Sequence, residues 1–127
     1  MPWNWVSADV VRVIHEQQIV HFGGGSGLRD EGLLLSALAR PENLVAYSDP
    51  DVAALAAAYA FGIARNHPFV DGNKRTALVT AAVFLLENAH ELVASEADAA
   101  LTFLALAAGE VTEEALADWI RGNVAGV

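Results

Sequence analysis

Asn66-His67-Pro68-Phe69-Val70-Asp71-Gly72-Asn73-Lys74-Arg75-Thr76 joins two strongly helical segments and gathers reactive side chains at unusual density. Proline after His67 disfavours helical geometry, so the preceding helix is expected to end near Asn66. Asp71-Gly72-Asn73 reads as a turn, with Gly72 free to take positive φ. Asn73 is placed to cap the next helix, which should run from Lys74 to about Asn88. No charged residue occurs between Thr76 and Leu86. A helix apolar all round is a buried helix, so Ala77–Leu86 is the predicted centre of the fold, with the loop at its N-terminal end.

That position has chemical consequences. The first N–H groups of a helix lack internal partners, and the macrodipole is positive there. Lys74 and Arg75 in that first turn each cost about 0.3–1 kcal/mol against the dipole. The chain has only 7 Lys and Arg residues, yet Arg65, Lys74 and Arg75 fall close together. A bound phosphate would resolve the conflict, held by N–H groups and both cations. Asp71 offers a hard oxygen ligand for Mg²⁺ beside such phosphates. His67, with an ordinary pKa of about 6.5, can take a proton from a hydroxyl near neutral pH. Taken singly, each residue has a plainer use: Asp71 pairing with Arg75, Asn73 capping, His67 filling space. Their concentration in one loop favours the functional reading.

His67 to Arg75 resembles the motif of the Fic family, H-x-F-x-[DE]-G-N-G-R-x-x-R, and is closer still to its Doc (death-on-curing) branch, H-x-F-x-D-x-N-K-R-T-A. Lys74 stands where the wider family has its second glycine, and Leu78 where it has its last arginine. Family members that transfer AMP use that glycine and arginine around the nucleotide phosphates. Their replacement points to the Doc mode, which the resemblance implies is phosphate transfer from ATP to a hydroxyl of a translation factor, elongation factor Tu being the implied target. On that reading His67 is the base, Asp71 the Mg²⁺ ligand, and Gly72, Asn73, Lys74 and Arg75 the phosphate cradle. The resemblance also implies a toxin. Family members that restrain themselves carry an inhibitory S/T-x-x-x-E-G/N helix. Here Glu31-Gly32, Glu42-Asn43 and Glu87-Asn88 are preceded four residues earlier by Gly27, Leu38 and Val83. A small antitoxin is therefore expected as a partner, with a DNA-binding half and a disordered segment that folds onto this surface.

Composition is consistent with one domain over residues 1–127 and a single core. The chain is 54% hydrophobic and has no cysteine, which excludes disulfides and thiol chemistry. The longest uncharged apolar run, Val52 to Ala64, is shorter than the roughly 18 residues a membrane span needs. The N-terminal residues lack a signal-peptide pattern, so the cytoplasm is expected. A net charge of −9 argues against direct nucleic-acid binding, which needs a basic surface.

Elsewhere, Ser7 is read as the cap of a helix to about Val20, with Val10, Val13, Ile14 and Gln17 marking its inward side. His15 is read as a core histidine with one hydrogen bond. Gly23-Gly24-Gly25-Ser26-Gly27 completes neither G-x-G-x-x-G nor a Walker motif and reads as a connector. Gly23-Gly24 and Gly27-Leu28-Arg29-Asp30 resemble a further Doc signature, to which no chemistry is assigned. Asp30 should cap a helix to about Ala39, which Pro41 ends. By position residues 41–49 resemble the flap with which Fic-like proteins hold a target segment as an added strand; the plainer reading is a packed loop. Asp49-Pro50 marks the start of the next helix, and Phe69 should plug into the core. Glu91 to Ala94 is too short to call a sheet. Ser95 and Thr112 should cap two last helices, ended by Gly109 and Gly122.

The expected fold is all-α, a compact bundle of about six helices that is Fic/Doc-like. The expected function is an ATP-dependent toxin kinase. The rivals are AMP transfer by the same fold and a non-enzymatic nucleotide- or peptide-binding module.

Overall fold

The computed structural model describes residues 2–127. Six helices follow in order: α1 (Ala8–Phe22), α2 (Glu31–Tyr47), α3 (Val52–Asn66), α4 (Asn73–Glu87), α5 (Glu96–Ala107) and α6 (Glu113–Arg121). Two three-residue strands, β1 (His90–Leu92) and β2 (Val124–Gly126), pair antiparallel, His90 opposite Gly126. The all-α class holds. The strands include part of the stretch that looked too short for a sheet, because the chain after α6 supplies the missing partner.

Side-chain caps start most helices where the sequence suggests. Ser7, Asp30, Ser95 and Thr112 each accept an N–H from the residue three positions on, the usual capping geometry. The start of α3 lies two residues later than Asp49-Pro50 implies. Its cap is Asp51, whose carboxylate accepts from Ala54 N–H and also receives two hydrogen bonds from Arg121.

The core is organised around α3 rather than α4. Along α3 only Ala54, Phe61, Arg65 and Asn66 keep appreciable exposure, and α2, α4, α5 and α6 all pack on it. Its alanines let these helices come close. At Gly62 an added Cβ would lie 3.0 Å from Ala37 Cα on α2, so that crossing admits no side chain. In α4 the buried residues form one stripe, Asn73, Thr76, Ala77, Thr80, Ala81, Phe84 and Leu85, while Leu86 stays 55% exposed. Apolar composition all round α4 therefore does not mean burial all round. Its first turns bury small residues, Thr76, Ala77, Thr80 and Ala81, and its last turn buries Phe84 and Leu85.

Two other expectations are corrected. Helix α1 buries Val11, Ile14 and His15, leaving Val10 and Val13 exposed. Its inward face is one step round from the predicted one, because His15, and not a valine, fills the site against the loop. Helix α2 does not stop before Pro41. It continues to Tyr47 with Pro41 inside it and buried. Pro41 falls on the stripe Leu34, Ala37, Leu38, Pro41, so its ring packs in the core. That burial offsets a lost backbone bond and ring clash that otherwise cost about 3 kcal/mol. The backbone of 41–47 is consequently helical and offers no extended edge. Neither the strand-pairing flap nor the packed loop describes it.

Candidate active site

Helix α3 ends on His67, whose φ of 49° and ψ of 57° put a non-glycine residue in the left-handed region. The helix stops where proline was expected to stop it, but His67 is not extended. Six hydrogen bonds and one isolated bridge hold the turn. Arg29 donates from Nε to His67 O at 2.8 Å and from Nη2 to Asn66 O at 3.0 Å. The backbone N–H groups of Arg29 and Asp30 both donate to Pro68 O. Leu28 and Phe69 form an isolated antiparallel bridge, beside which Val70 N–H donates to Gly27 O. Asn66 Nδ2 ties back to Leu33 O. The Gly27-Leu28-Arg29-Asp30 segment is thus the scaffold on which the loop rests. Nothing local in the sequence marks this role, because the carbonyls that Arg29 holds lie 37 and 38 residues away.

Phe69 is buried, as expected, and stacks on His15 with ring centroids 3.9 Å apart. His15, also buried, donates from Nε2 to the carbonyl of Asp71 at 2.8 Å. It is the core histidine with one hydrogen bond that its position suggested, and that bond braces the loop.

Asn73 does not cap α4. The N-cap is Gly72, at φ 76°, and no side chain caps the helix. The Asn73 side chain folds back instead: Oδ1 accepts from Phe69 N–H and Nδ2 donates to Phe69 O, both at 3.0 Å. These bonds orient the amide, and Nδ2 then meets His67 Nδ1 at 3.4 Å. In this network Nδ1 accepts and a neutral ring carries its proton on Nε2. The contact is long and weak; it turns Nδ1 of the ring toward Asn73.

With no side-chain cap, the N–H groups of Asn73, Lys74 and Arg75 keep the free, outward-pointing character of a helix start. The first helical bond in this turn is from Thr76 N–H to Gly72 O. Asp71 is exposed; its Oδ1 accepts from Gly72 N–H at 2.8 Å and its Oδ2 from Gly25 N–H at 3.3 Å. These bonds, that to Gly72 first, hold its carboxyl below the usual carboxylate range. Gly24 lies so close that an added Cβ would sit 2.6 Å from Asp71 Oδ2. The glycine run is therefore more than a connector: it hydrogen-bonds the Asp71 carboxylate and shapes its surroundings.

Asp71 makes no ion pair with Arg75. The ion pairs among the described residues are Arg12–Glu31, Arg40–Glu113, Arg121–Asp51 and Arg121–Asp118. Arg75 donates from Nη2 to Gly23 O, lies over the Phe22 ring, and keeps a buried Nε without an acceptor. Lys74 is exposed. Both cations at the helix start thus lack a protein anion.

His67, Asp71, Gly72, Asn73, Lys74 and Arg75 all line one open cleft of about 330 Å³, walled on its apolar side by Ala64, Val70, Leu104 and Ala107. Every site residue expected from the sequence is in that lining. Among the described residues no three His, Asp or Glu side chains gather as a metal cage. A single exposed, ionised carboxylate fits Mg²⁺ bound mainly through water and phosphate, since that ion commonly takes only one or two carboxylates.

Comparison with known proteins identifies the family. The model of the family described as Fic/DOC matches residues 5–85. The chain is 34% identical over 117 residues to "Protein kinase doc" of Escherichia phage P1, covering 91% of this chain and 92% of that protein. It is 47% identical over 77 residues to "Toxin Doc" of Mycolicibacterium smegmatis, covering 59% of each.

Proposed function

This chain belongs to the Fic/Doc family, and from that premise we propose that it is the toxin of a toxin–antitoxin pair, a kinase that moves the γ-phosphate of ATP to a hydroxyl of a translation factor. One observation carries the reading: a base, a carboxylate and two anion-free cations share one cleft at an uncapped helix start. Relatives named as a protein kinase and as a toxin support it.

In the proposed reaction the N–H groups of Asn73, Lys74 and Arg75 and the two cationic side chains hold the phosphates. Asp71 would hold Mg²⁺, which supplies charge neutralisation across the phosphates. His67 accepts the proton of the target hydroxyl at its unprotonated Nδ1, giving up the weak contact from Asn73 Nδ2, as the hydroxyl oxygen attacks the γ-phosphorus. The bond from that phosphorus to the bridging oxygen breaks, and ADP leaves. Lys74 and Arg75 offset the charge that develops on the departing side. Lys74 fills part of the room that a second glycine would leave for a deep diphosphate, and Leu78 brings no charge one turn on. Both favour γ-phosphoryl over AMP transfer.

Among the described residues no helix is long and apolar enough to cross a membrane, and the net charge of −9 suits a protein partner over nucleic acid. We place the protein in the cytoplasm, with translation factors as targets and an antitoxin segment as its inhibitor. Incubation with bacterial lysate and ATP labelled separately at the α and γ positions tests the reading. Protein labelled from the γ position alone is expected. Label from the α position would establish AMP transfer instead, and ATP binding without labelled product would leave a binding module.

A further inference from the structure

The left-handed turn at His67 has an unusual support. Residues before proline are driven toward extended backbone, and a left-handed non-glycine residue costs about 1–2 kcal/mol. His67 has both disadvantages at once, and a relaxed His67 would swing its imidazole away from its present direction. The peptide bearing Asn66 O sets φ of His67, and the peptide bearing His67 O sets its ψ. One guanidinium holds both oxygens, through Nη2 at 3.0 Å and Nε at 2.8 Å. The backbone N–H of the same residue takes the next carbonyl, Pro68 O, at 2.7 Å. Three successive carbonyls, 66 to 68, therefore converge on Arg29. It does not line the cleft.

We propose that Arg29 is a positioning residue for His67, fixing both backbone torsions of the base so that its imidazole is aimed before substrate arrives. The role needs arginine. Two diverging carbonyls match the fork of a guanidinium, whereas an ammonium is a point donor on a flexible stem. The cation also sits at the C-terminal end of α3, where the helix dipole favours it. The proposal rests on the reading of His67 as base.

The test compares full-length wild type, Arg29→Gln and Arg29→Lys, using γ-labelled ATP with clarified bacterial lysate as acceptor. Misaiming a catalytic group by about 1 Å can cost on the order of 100-fold. Arg29→Gln should therefore lose at least about tenfold in kcat, with half-saturating ATP shifted less than about threefold. Arg29→Lys should fall between it and wild type. The imidazole ¹⁵N spectrum of His67 is recorded on the same samples. Wild type should favour the tautomer with its proton on Nε2, and Arg29→Gln should lose that bias. A normal kcat in Arg29→Gln, or a loss confined to ATP affinity, overturns the proposal. So does failure of both variants to fold, which would make Arg29 a structural cap. If wild type itself labels nothing, the kinase reading fails, and the ¹⁵N comparison alone decides whether Arg29 orients His67.

Discussion

Two prolines in this chain carry the same local signal and meet opposite fates. Pro68 follows a helix that ends two residues earlier, at Asn66; Pro41 lies inside a helix that continues to Tyr47. Both are buried. The difference lies in what receives the carbonyls beside them. Around Pro68 those of Asn66, His67 and Pro68 are taken by Arg29 and Asp30, so leaving the helix forfeits little. Around Pro41, residues before and after face α3, and the Ala37–Gly62 crossing leaves no slack. Leaving the helix there would give up packing on both sides. Proline permits a helix end; the partners waiting outside the helix decide whether one occurs.

The exit at Pro68 is where function should be most sensitive. Replacing His67 should lower label transfer by about 100- to 10,000-fold, the usual contribution of a general base. Asn is the better replacement, because it tolerates the left-handed region. Ala at φ 49° should be less stable than Asn by about 1 kcal/mol, read as a lower thermal midpoint. Near-normal transfer by folded His67→Asn would remove the base role. Equal stability of the two variants would show that the exit relaxes without its special residue.

A smaller loss is expected from Gly24→Ala, which tests the support from the glycine run. The new Cβ cannot coexist with Asp71 Oδ2 in its present place, and φ of 116° is strained for any side chain. Destabilisation of about 1–3 kcal/mol in denaturant unfolding should accompany it. The displaced carboxylate should also raise the Mg²⁺ concentration needed for half-maximal transfer. An unchanged Mg²⁺ requirement would mean that the run only connects helices.

Pro41→Ala is the converse experiment. It restores a backbone donor but removes buried ring, so stability should move by no more than about 1.5 kcal/mol in either direction. Helical circular dichroism and transfer should stay unchanged. Conversion of 41–47 to extended structure would break the contrast between the two prolines.

The least effect should come from Asp51→Asn at the start of α3. Asn caps nearly as well as Asp, so the change mainly removes the exposed pairing with Arg121, worth about 0.2–1 kcal/mol. The hydrogen bond from Arg121 holds the Asp51 carboxyl below its ordinary value of 3.8. A lowered folded pKa stabilises above the unfolded value and loses that contribution as pH falls through the folded one. Wild type and Asp51→Asn should therefore differ at pH 7 and converge as pH drops below about 3.8. A constant difference across that range would refute the charge contribution.

Local signals were legible where the deciding partner is local. Ser7, Asp30, Ser95 and Thr112 bond three residues ahead, so a short window contains the whole interaction. The cleft residues were legible because the motif is contiguous. What sequence could not display was set by distant partners. Pro41 stays helical because of α3, β1 needs β2, and the buried face of α1 is chosen by Phe69. Asn73 resembles a cap by position, yet Phe69 and His67 draw its side chain inward. Arg29 carries no local mark of its target, which lies 38 residues away.

The bonds that brace the loop also span long stretches of chain: His15 to Asp71 covers 56 residues, Arg75 to Gly23 covers 52, and Gly25 to Asp71 covers 46. Contacts of such separation form late, because loop-closure entropy is met before they are gained. The hairpin of α3 and α4 holds the full motif yet not the braces supplied by α1 and the segment before α2. During folding the cleft should therefore be among the last features to appear. On the proposed reading of the chain as a toxin, such a delay would keep partly folded chains inactive.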